Sequence, residues 1–238
     1  MADSIKKLWR INSSRKYLAK FAGRAGSSST TGARVLDAGA GECPYRSSFA
    51  SGQYDATDLC QLEKSYGKLS YISDLQAIPI RSDYYDLVFC SQTLEHVPDP
   101  QAVLGEIGRV LKPGGHLWLT APFYYEEHEV PFDYYRYTQF GLNYLLKNAG
   151  FTIESIEWLE GYFGTLAYQS NVAAKALPLA PKEYGAGIWA WVLVIPIGMI
   201  KLLFAFLSLF FTWLDLHSRY VTKGHCKNYA LIAMKSKS

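Results

Sequence analysis

The chain has 238 residues, of which 49% are apolar and 19% charged, and its net charge is +3. That length suits one α/β domain with an appendage, and the apolar content excludes a disordered chain. The four cysteines form neither a CxxC pair nor a Cys/His cluster, so we expect no metal site and a reducing, cytoplasmic compartment.

Charge is concentrated at the two ends of the chain. Residues 1–34 hold eight Lys or Arg against one Asp, and residues 215–238 hold five against one. The ends therefore contribute +7 and +4 to a total of +3, so the residues between them carry −8. Basic ends suggest an anionic partner surface, most simply a membrane, although two solvated tails would show the same pattern. The acidic body offers no basic groove, so we expect no nucleic-acid partner.

The N-terminal region predicts a basic helix over Ile5–Phe21, followed by a Gly/Ser/Thr-rich linker over Gly23–Gly32. No long apolar run follows the first charges, so we expect no signal peptide. We divide the chain into three parts, namely a basic helix and linker (1–33), a main domain (34–158 with 228–236) and an insertion (159–227).

Strand and helix signals alternate from residue 34 onwards. This alternation predicts an α/β fold, with a mostly parallel seven-stranded sheet and helices on both faces. The predicted strands are Arg34–Asp37, Gln53–Asp58, Leu69–Ser73, Tyr85–Ser91, His116–Thr120, Phe151–Trp158 and Tyr229–Met234. The predicted helices are Ala102–Leu111, which a Lys-Pro-Gly-Gly turn ends, and a helix that Thr138 caps and that runs to Ala149.

The first predicted strand leads into a glycine-rich turn, VLDAGAGE, over residues 35–42. Such a turn lets a ligand approach the backbone closely, but Pro44 replaces the third glycine of the dinucleotide fingerprint. The carboxylate of Asp37 would repel a pyrophosphate and suits a cationic group, such as the ammonium of an amino acid. Asp58 ends the second strand, 21 residues later, where a carboxylate can bind ribose hydroxyls.

These motifs resemble those of the class I S-adenosylmethionine-dependent methyltransferases, in particular the type 11 group. The resemblance covers about Arg34 to Trp158 and the last strand. Its marks are VLDAGAG at 35–41, Asp58, SDLQAIPI at 73–80, YDLVFCSQTLEHV at 85–97 and RVLKPGG at 109–115. It implies a Rossmann-like fold and S-adenosylmethionine as cofactor. Many members carry a third glycine where this chain has Cys43.

The resemblance also implies roles for individual residues. Gly39 and Gly41 would line the cofactor, Asp37 would orient its amino acid end, and Asp58 would bind the ribose. The remaining cofactor contacts would be Asp74 and Leu75 at the adenine edge, and Ser91 and Gln92 after the fourth strand. Asp74 could instead cap a turn and make no contact with the adenine. Glu95 is expected to be a solvated or capping residue.

The segment after the fifth strand, Pro122–Thr138, combines five tyrosines and two phenylalanines with polar residues. Aromatic walls with a few polar tips are typical of ligand pockets. We hypothesise that His128 is the general base, that Asp133 orients it and that Arg136 holds an anionic or sugar acceptor. The alternative is an ordered lid with a structural Asp133–Arg136 pair, and His96 is a second candidate base. The HExPxDxxRYT pattern resembles that of type 11 methyltransferases associated with cell-surface polysaccharide.

Ile188–Leu214 is a run of 27 residues with one charge, Lys201. As a helix it would measure about 40 Å, more than a ~30 Å hydrocarbon layer. Because the strands before and after it should be neighbours, both ends lie on one side. The segment should therefore lie in a membrane interface, or enter and return through a bend at Pro196 and Gly198. Burial within protein and a true span are the alternatives.

Helical spacing places the polar residues of this region in one narrow stripe, which we expect to face water while the aromatic side chains face lipid. The stripe comprises Lys201, Ser208, Thr212, Asp215 and Arg219.

The sequence thus predicts a membrane-associated O-methyltransferase, cytoplasmic and peripheral on the inner face of a membrane. Its acceptor would be a small molecule or a lipid-linked glycan. The rival interpretations are a soluble methyltransferase of a small lipophilic metabolite and a non-catalytic scaffold that uses the fold for binding.

Overall fold

A computed structural model describes residues 13–236 of the chain. These residues divide into two compact units. One unit, the sheet unit, comprises Tyr17–Leu159 and residues 227–236. The other, the hairpin unit, comprises Glu160–Cys226 and residues 13–16.

The sheet unit is built on seven strands. They are β1 (Arg34–Ala38), β2 (Gln53–Asp58), β3 (Tyr71–Ile72), β4 (Tyr85–Ser91), β5 (Leu111–Pro122), β6 (Phe151–Trp158) and β7 (Asn228–Lys235). Their order is β3-β2-β1-β4-β5-β7-β6, and β7 runs antiparallel to both β5 and β6 while the other pairs are parallel. The predicted, mostly parallel seven-stranded sheet is confirmed.

Three helices accompany the sheet, namely α1 (Ser13–Ser28), α2 (Pro100–Val110) and α3 (Gln139–Asn148). Short 3-10 turns cover Arg46–Phe49 and Leu94–His96. A side chain caps the N-terminus of α2 and another caps that of α3. The Asp99 carboxylate accepts from the Ala102 N–H at 3.0 Å, and the Thr138 hydroxyl accepts from the Gly141 N–H at 3.0 Å, as predicted.

Helix α1 runs seven residues beyond Phe21 into the stretch that we expected to be a linker. The first part of the predicted Ile5–Phe21 helix lies outside the described residues. The small residues serve packing, because Ala22 and Ala25 are fully buried and a side chain at Gly26 would overlap the Ser48 carbonyl oxygen. Composition alone does not distinguish such a close contact from a flexible linker.

Strand β5 is longer than the predicted His116–Thr120, because the Lys-Pro-Gly-Gly segment lies inside the strand and does not form a free turn. Its pairing with β4 shifts register between Tyr85 and Leu87, which accommodates the extra residues.

Alternating residues of the central strands point to opposite faces of the sheet. One face packs against α1, where Phe21 contacts Phe89 and Trp118 with ring centroids 6.2 and 5.0 Å away. On the other side, α2 packs against β5 and α3 against β6. The carboxyl ends of the parallel strands β2, β1, β4 and β5 therefore meet at one edge, which is where ligands bind in open α/β sheets.

The hairpin unit contains α4 (Tyr162–Ala176), a 3-10 turn at Pro181–Tyr184 and α5 (Ile188–His217). The two helices run antiparallel. Phe163 near the start of α4 stacks on Phe211 near the end of α5, at 6.1 Å between ring centroids. The Lys201 ammonium donates to the Ala174 and Leu177 carbonyls at 2.6 and 2.7 Å, where α4 ends.

Helix α5 is continuous over 30 residues, so the bend that we expected at Pro196 and Gly198 is not formed. The chain reverses before α5, in the turn that follows α4. The helix is about 45 Å long and, by length and composition only, apolar enough to cross a membrane.

The polar stripe of α5 faces α4 and not water, contrary to our expectation. Thr212 and Asp215 are buried, and an Asp215 oxygen accepts from the Gly161 N–H at 3.0 Å. Lys201 and Asp215 bond backbone groups at the two ends of α4, which would otherwise need water as partner, whereas Arg219 lies beyond α5 and is exposed. The surface of α5 is instead apolar. Its exposed large side chains are Ile188, Trp189, Trp191, Val192, Leu193, Ile195, Met199, Ile200, Leu202, Leu203, Phe206, Phe210 and Trp213.

Candidate functional site

The glycine turn after β1 is fixed to the end of β2. The N–H groups of Gly39 and Ala40 both donate to the Thr57 carbonyl at 3.0 Å. Gly39 has φ +76° and Gly41 has φ +50°, in the left-handed region that favours glycine. A side chain at Gly39 would also overlap Thr93, a contact that the sequence did not reveal.

Asp58 lies at the carboxyl end of β2 and binds the glycine turn. One of its oxygens accepts from the Gly41 N–H at 2.9 Å, and the other accepts from the Cys60 N–H at 3.0 Å. The side chain is half-buried. Since each carboxylate oxygen has two lone pairs, both can still accept from ribose hydroxyls.

Asp37 is buried, with 3% of its surface exposed. Burial and, to a smaller extent, the nearby Asp58 charge raise its pKa to about 6. The Tyr54 hydroxyl donates to Asp37 at 2.5 Å and opposes this rise. Tyr54 lies in the middle of β2, and no motif marked it as a site residue.

The turn after β3 brings Asp74 and Leu75 next to β2, because the Ser73 and Thr57 hydroxyls are 2.9 Å apart. Asp74 is exposed and caps the turn, accepting from the Gln76 N–H at 2.9 Å. Leu75 is buried. The turn-capping alternative for Asp74 therefore has direct support, while its adenine contact stays a prediction.

Ser91 and Gln92 follow β4 and share a partner in β5. The Thr120 hydroxyl lies 2.9 Å from the Ser91 hydroxyl, and it accepts from the Gln92 side-chain amide at 3.1 Å. Next to them, the Thr93 hydroxyl donates to the Gly39 carbonyl at 3.3 Å. The predicted residues of β1 and β4 thus lie side by side, and Thr93 and Thr120 are polar neighbours that pattern analysis missed.

Cys43, at the position where many type 11 methyltransferases carry a glycine, has a left-handed backbone. Its φ is +55°, a conformation that costs a non-glycine residue about 1 kcal/mol or more. The side chain is buried and contacts the Lys68 carbonyl.

The segment over residues 123–138, which the sequence predicts to form the acceptor side, is called the lid below. All five donors of the Arg136 guanidinium are used within it. Two bonds of 2.7 Å go to the two oxygens of Asp133, and the others go to the carbonyls of Tyr125, Glu126 and Tyr135. Arg136 has no donor left for an anionic or sugar acceptor, so its role is to fold the lid, and the structural-pair alternative is the better description.

The lid is attached to the loop that follows β4. The N–H groups of Tyr134 and Tyr135 donate to the Glu95 carbonyl at 2.9 and 3.3 Å. The Tyr137 hydroxyl donates to the Leu94 carbonyl at 2.8 Å. These bonds explain why two segments far apart in the sequence present their side chains to one another.

This attachment brings His128 to His96, with ring centroids 4.8 Å apart. Nδ1 of His128 lies 3.3 Å from an Asp133 oxygen and 3.2 Å from the Glu126 carbonyl. Nδ1 of His96 lies 2.7 Å from the Phe132 carbonyl, and a carbonyl only accepts, so this nitrogen carries the hydrogen. The orientation of His128 by Asp133 thus has direct geometric support.

Glu95 is fully buried beside the two histidines, contrary to the expectation of a solvated or capping residue. Within the described part of the chain, neither carboxylate oxygen has a hydrogen-bond partner. Burial raises the pKa of Glu95 to about 8. An uncompensated buried carboxylate is costly, which makes it a marker of function.

Comparison with known proteins agrees with this geometry. A family model described as "Methyltransferase domain" matches residues 36–119. A ubiquinone biosynthesis O-methyltransferase of Xanthomonas oryzae pv. oryzae is 38% identical over 104 residues, which cover 37% of this chain and 43% of that protein. The chain thus aligns with less than half the length of this relative.

Solved structures share the fold at low sequence identity. The [4+2]-cyclase SpnF has a TM-score of 0.58 and 20% identity, covering 93% of this chain and 81% of SpnF. A phosphoethanolamine N-methyltransferase 2 of Haemonchus contortus, solved in complex with S-adenosyl-L-methionine, has a TM-score of 0.55 and 18% identity, covering 94% of this chain and 53% of that one. The family match over residues 36–119 therefore shows that the central part of the sheet unit is similar to a methyltransferase domain.

Proposed function

We propose that the protein transfers a methyl group from S-adenosylmethionine to a hydroxyl group of a lipid-linked or glycan-like acceptor at a membrane surface. The observation that carries this proposal is the arrangement at the sheet edge, where Asp37 precedes the glycine turn and Asp58 binds it. We call this edge of the sheet the cofactor cleft. The lid is bonded to the loop after β4, and its His128 lies against His96 of that loop.

The cleft residues suit S-adenosylmethionine, which supplies a methyl group bound to a positively charged sulfur. Asp37 is a buried carboxylate with a raised pKa, and a nearby ammonium group would compensate its charge. Asp58 retains acceptor capacity for ribose hydroxyls. The glycine turn admits close backbone approach, and Asp74, Leu75, Ser91 and Gln92 stay the predicted contacts of the rest of the cofactor.

On the acceptor side, His128 is the residue that meets the reacting hydroxyl. Asp133 orients its imidazole, and Arg136 holds Asp133 in place. His96 is the second polar group at this position. Such positioning contributes much of the rate of a displacement reaction, and removal of the hydroxyl proton contributes further.

Oxygen as the methylated atom is supported by the curated relative, whose name specifies O-methyl transfer. The exposed aromatic side chains of the lid suit an acceptor with apolar or sugar surfaces. Tyr124, Tyr134 and Tyr135 are each about two-fifths exposed.

The membrane part of the proposal is supported by α5. Its polar residues face α4, and almost none of its most apolar 18-residue window is buried. An exposed apolar surface of this length is rare on soluble monomers. The turn before α5 carries Lys182 and Glu183, and a full crossing would have to move these charges through the hydrocarbon layer. We therefore favour attachment in the interface of one leaflet, which would hold the tethered sheet unit near lipid-linked acceptors.

A titration tests the cofactor assignment. We expect saturable, micromolar binding of S-adenosylmethionine by calorimetry, weakened at least tenfold by Asp58→Asn. The reaction is then tested with isotopically labelled cofactor and extracted membrane lipids, in search of a labelled methyl group on an acceptor. A folded sample that binds no S-adenosyl compound at millimolar concentration would refute the proposal.

Two other functions remain as outcomes of these tests. A soluble methyltransferase of a small lipophilic metabolite would stay in the supernatant after centrifugation of membranes. A non-catalytic scaffold would show no labelled product, and the likeness to SpnF, named as a cyclase, illustrates that this fold is not confined to methyl transfer.

A further inference from the structure

The cluster of Glu95, His96 and His128 has a feature that methyl transfer alone does not require. One donor atom from each of the three side chains lies within 4.8 Å of the others. Nε2 of His96 is 3.9 Å from a Glu95 oxygen. Among the residues that the structure describes, no second group of three such donors converges in this way.

The buried carboxylate points independently to a positively charged ligand. Glu95 is inaccessible to solvent, and its two oxygens accept no hydrogen bond from any described residue. Burying a polar group without a partner costs several kcal/mol, and a metal ion is one of the few groups that compensate such a carboxylate. The side chain lies on the side of the loop that faces the two imidazoles.

Both imidazoles are oriented for metal binding by their other nitrogen. Nδ1 of His96 donates to the Phe132 carbonyl, and Nδ1 of His128 faces the Asp133 carboxylate. Metal-bound histidines almost always use one nitrogen in this way, which fixes the ring and makes the other nitrogen more basic. Nε2 of each ring is therefore the nitrogen available as a ligand.

We propose that Glu95, His96 and His128 bind one divalent first-row transition metal ion. Two imidazoles and one carboxylate are a donor set for zinc, manganese or iron, whereas magnesium and calcium prefer oxygen ligands. Ligand atoms about 2.0–2.2 Å from a metal are roughly 3–4 Å from one another. Side-chain rotations that move the three donor atoms by about 1 Å would therefore bring them within binding distance of one ion. This proposal replaces the expectation, from the cysteine pattern, that the protein holds no metal.

The chemical consequence deepens the proposed function and rests on it. Three protein ligands leave coordination positions open for the acceptor hydroxyl, whose pKa falls when its oxygen binds the ion. The hydroxyl proton passes to water, the oxygen forms a bond to the methyl carbon, and the bond between that carbon and sulfur breaks. His128 then acts as a metal ligand at the reacting oxygen and not as a free base.

Cobalt titration of the full-length protein, free of any added histidine tag, tests the site without cofactor or acceptor. We expect one Co²⁺ per chain, visible absorption bands typical of nitrogen ligation, and their loss on addition of Zn²⁺ but not Mg²⁺. Glu95→Gln and His128→Gln should each weaken binding at least tenfold. His116→Ala is the matched control, because His116 also lies near a glutamate, Glu154 at 3.3 Å, on the surface.

Absent bands, or wild-type Co²⁺ binding by both cluster variants, would overturn the metal site. Far-UV circular dichroism establishes that the variants are folded, and Glu95→Gln keeps the shape of the side chain. A separate titration with S-adenosylmethionine distinguishes the two proposals. If the protein binds the cofactor but not Co²⁺, only the metal site is refuted. If it binds Co²⁺ but not the cofactor, only the methyl-transfer proposal is refuted.

Discussion

The two terminal nitrogens of Arg136 each lie 2.7 Å from a different oxygen of Asp133, which forms a bidentate pair inside the lid. The Asp133 side chain is 3% exposed, and the guanidinium holds its pKa well below the usual range. The pair is therefore ionised at neutral pH, and it joins two residues within the lid.

Asp133→Asn should loosen the lid while the cofactor cleft stays intact. Breaking one partner of a buried ion pair costs about 3–5 kcal/mol, and the loss falls on the lid because all the bonds of Arg136 are local. Hydrogen exchange should accelerate over residues 123–138, with the affinity for S-adenosylmethionine unchanged. Glu127→Gln, at an exposed lid position, is the control. Equal protection in the Asp133 variant and the wild type would contradict the prediction.

The affinity for S-adenosylmethionine should rise with pH around the pKa of Asp37. Burial raises this pKa from 3.8 to about 6, so the carboxyl is neutral below pH 6 and attracts an ammonium group only above it. Affinity should therefore fall by up to tenfold per pH unit below 6. Calorimetry between pH 5 and 7.5 measures the effect.

Two variants serve as controls for the pH dependence of S-adenosylmethionine affinity. Asp37→Asn should bind weakly and without this pH dependence. Tyr54→Phe should move the midpoint to higher pH, because the lost hydroxyl hydrogen bond had lowered the pKa of Asp37. A wild-type affinity that is constant across the range would show that Asp37 does not bind the ammonium group.

Gly39→Ala should destabilise the sheet unit more than Gly41→Ala. Both positions have positive φ, which costs alanine about 1 kcal/mol, but only at Gly39 would the added carbon overlap a neighbour, Thr93. Thermal unfolding measures the difference, and Thr93→Ala in the Gly39→Ala background should restore part of the loss. Equal melting temperatures for the two alanine variants would contradict the close approach.

Lys201→Leu should lower the melting temperature although it makes α5 more apolar. Removal of the ammonium leaves the Ala174 and Leu177 carbonyls without this donor, at a cost of about 1–3 kcal/mol. Lys182→Leu, in the exposed turn, is the matched control. An unchanged melting temperature would mean that Lys201 faces water, as the sequence had suggested.

Vesicle flotation should depend on the exposed face of α5. Leu202 and Phe206 lie one turn apart and are 71% and 63% exposed, so a double aspartate variant should lose binding to vesicles with anionic lipid. Phe140→Asp is the control, because Phe140 is 77% exposed on α3 of the sheet unit. Two results would show that α5 packs against protein. In one, the double variant still floats with the vesicles. In the other, the double substitution dissociates a dimer of the protein and does not affect flotation.

The sequence by itself determined the sheet and predicted which of its edges would bind the cofactor. Strands β2, β4 and β6 begin and end where the sequence pattern places them, because turn residues at their ends are local signals. The prediction of the cofactor edge was possible because strand ends and glycine turns are local features, and parallel strands must bring those ends to one edge.

Only the tertiary structure decided what the long-range contacts do. The polar stripe of α5 has the spacing of a water-facing surface, yet it faces α4, since periodicity defines a face but not its partner. The burial of Glu95 likewise arises where the lid meets the loop after β4, two segments that are distant in the sequence. No local pattern encodes such a meeting, because its energy comes from contacts that form only after the sheet is assembled.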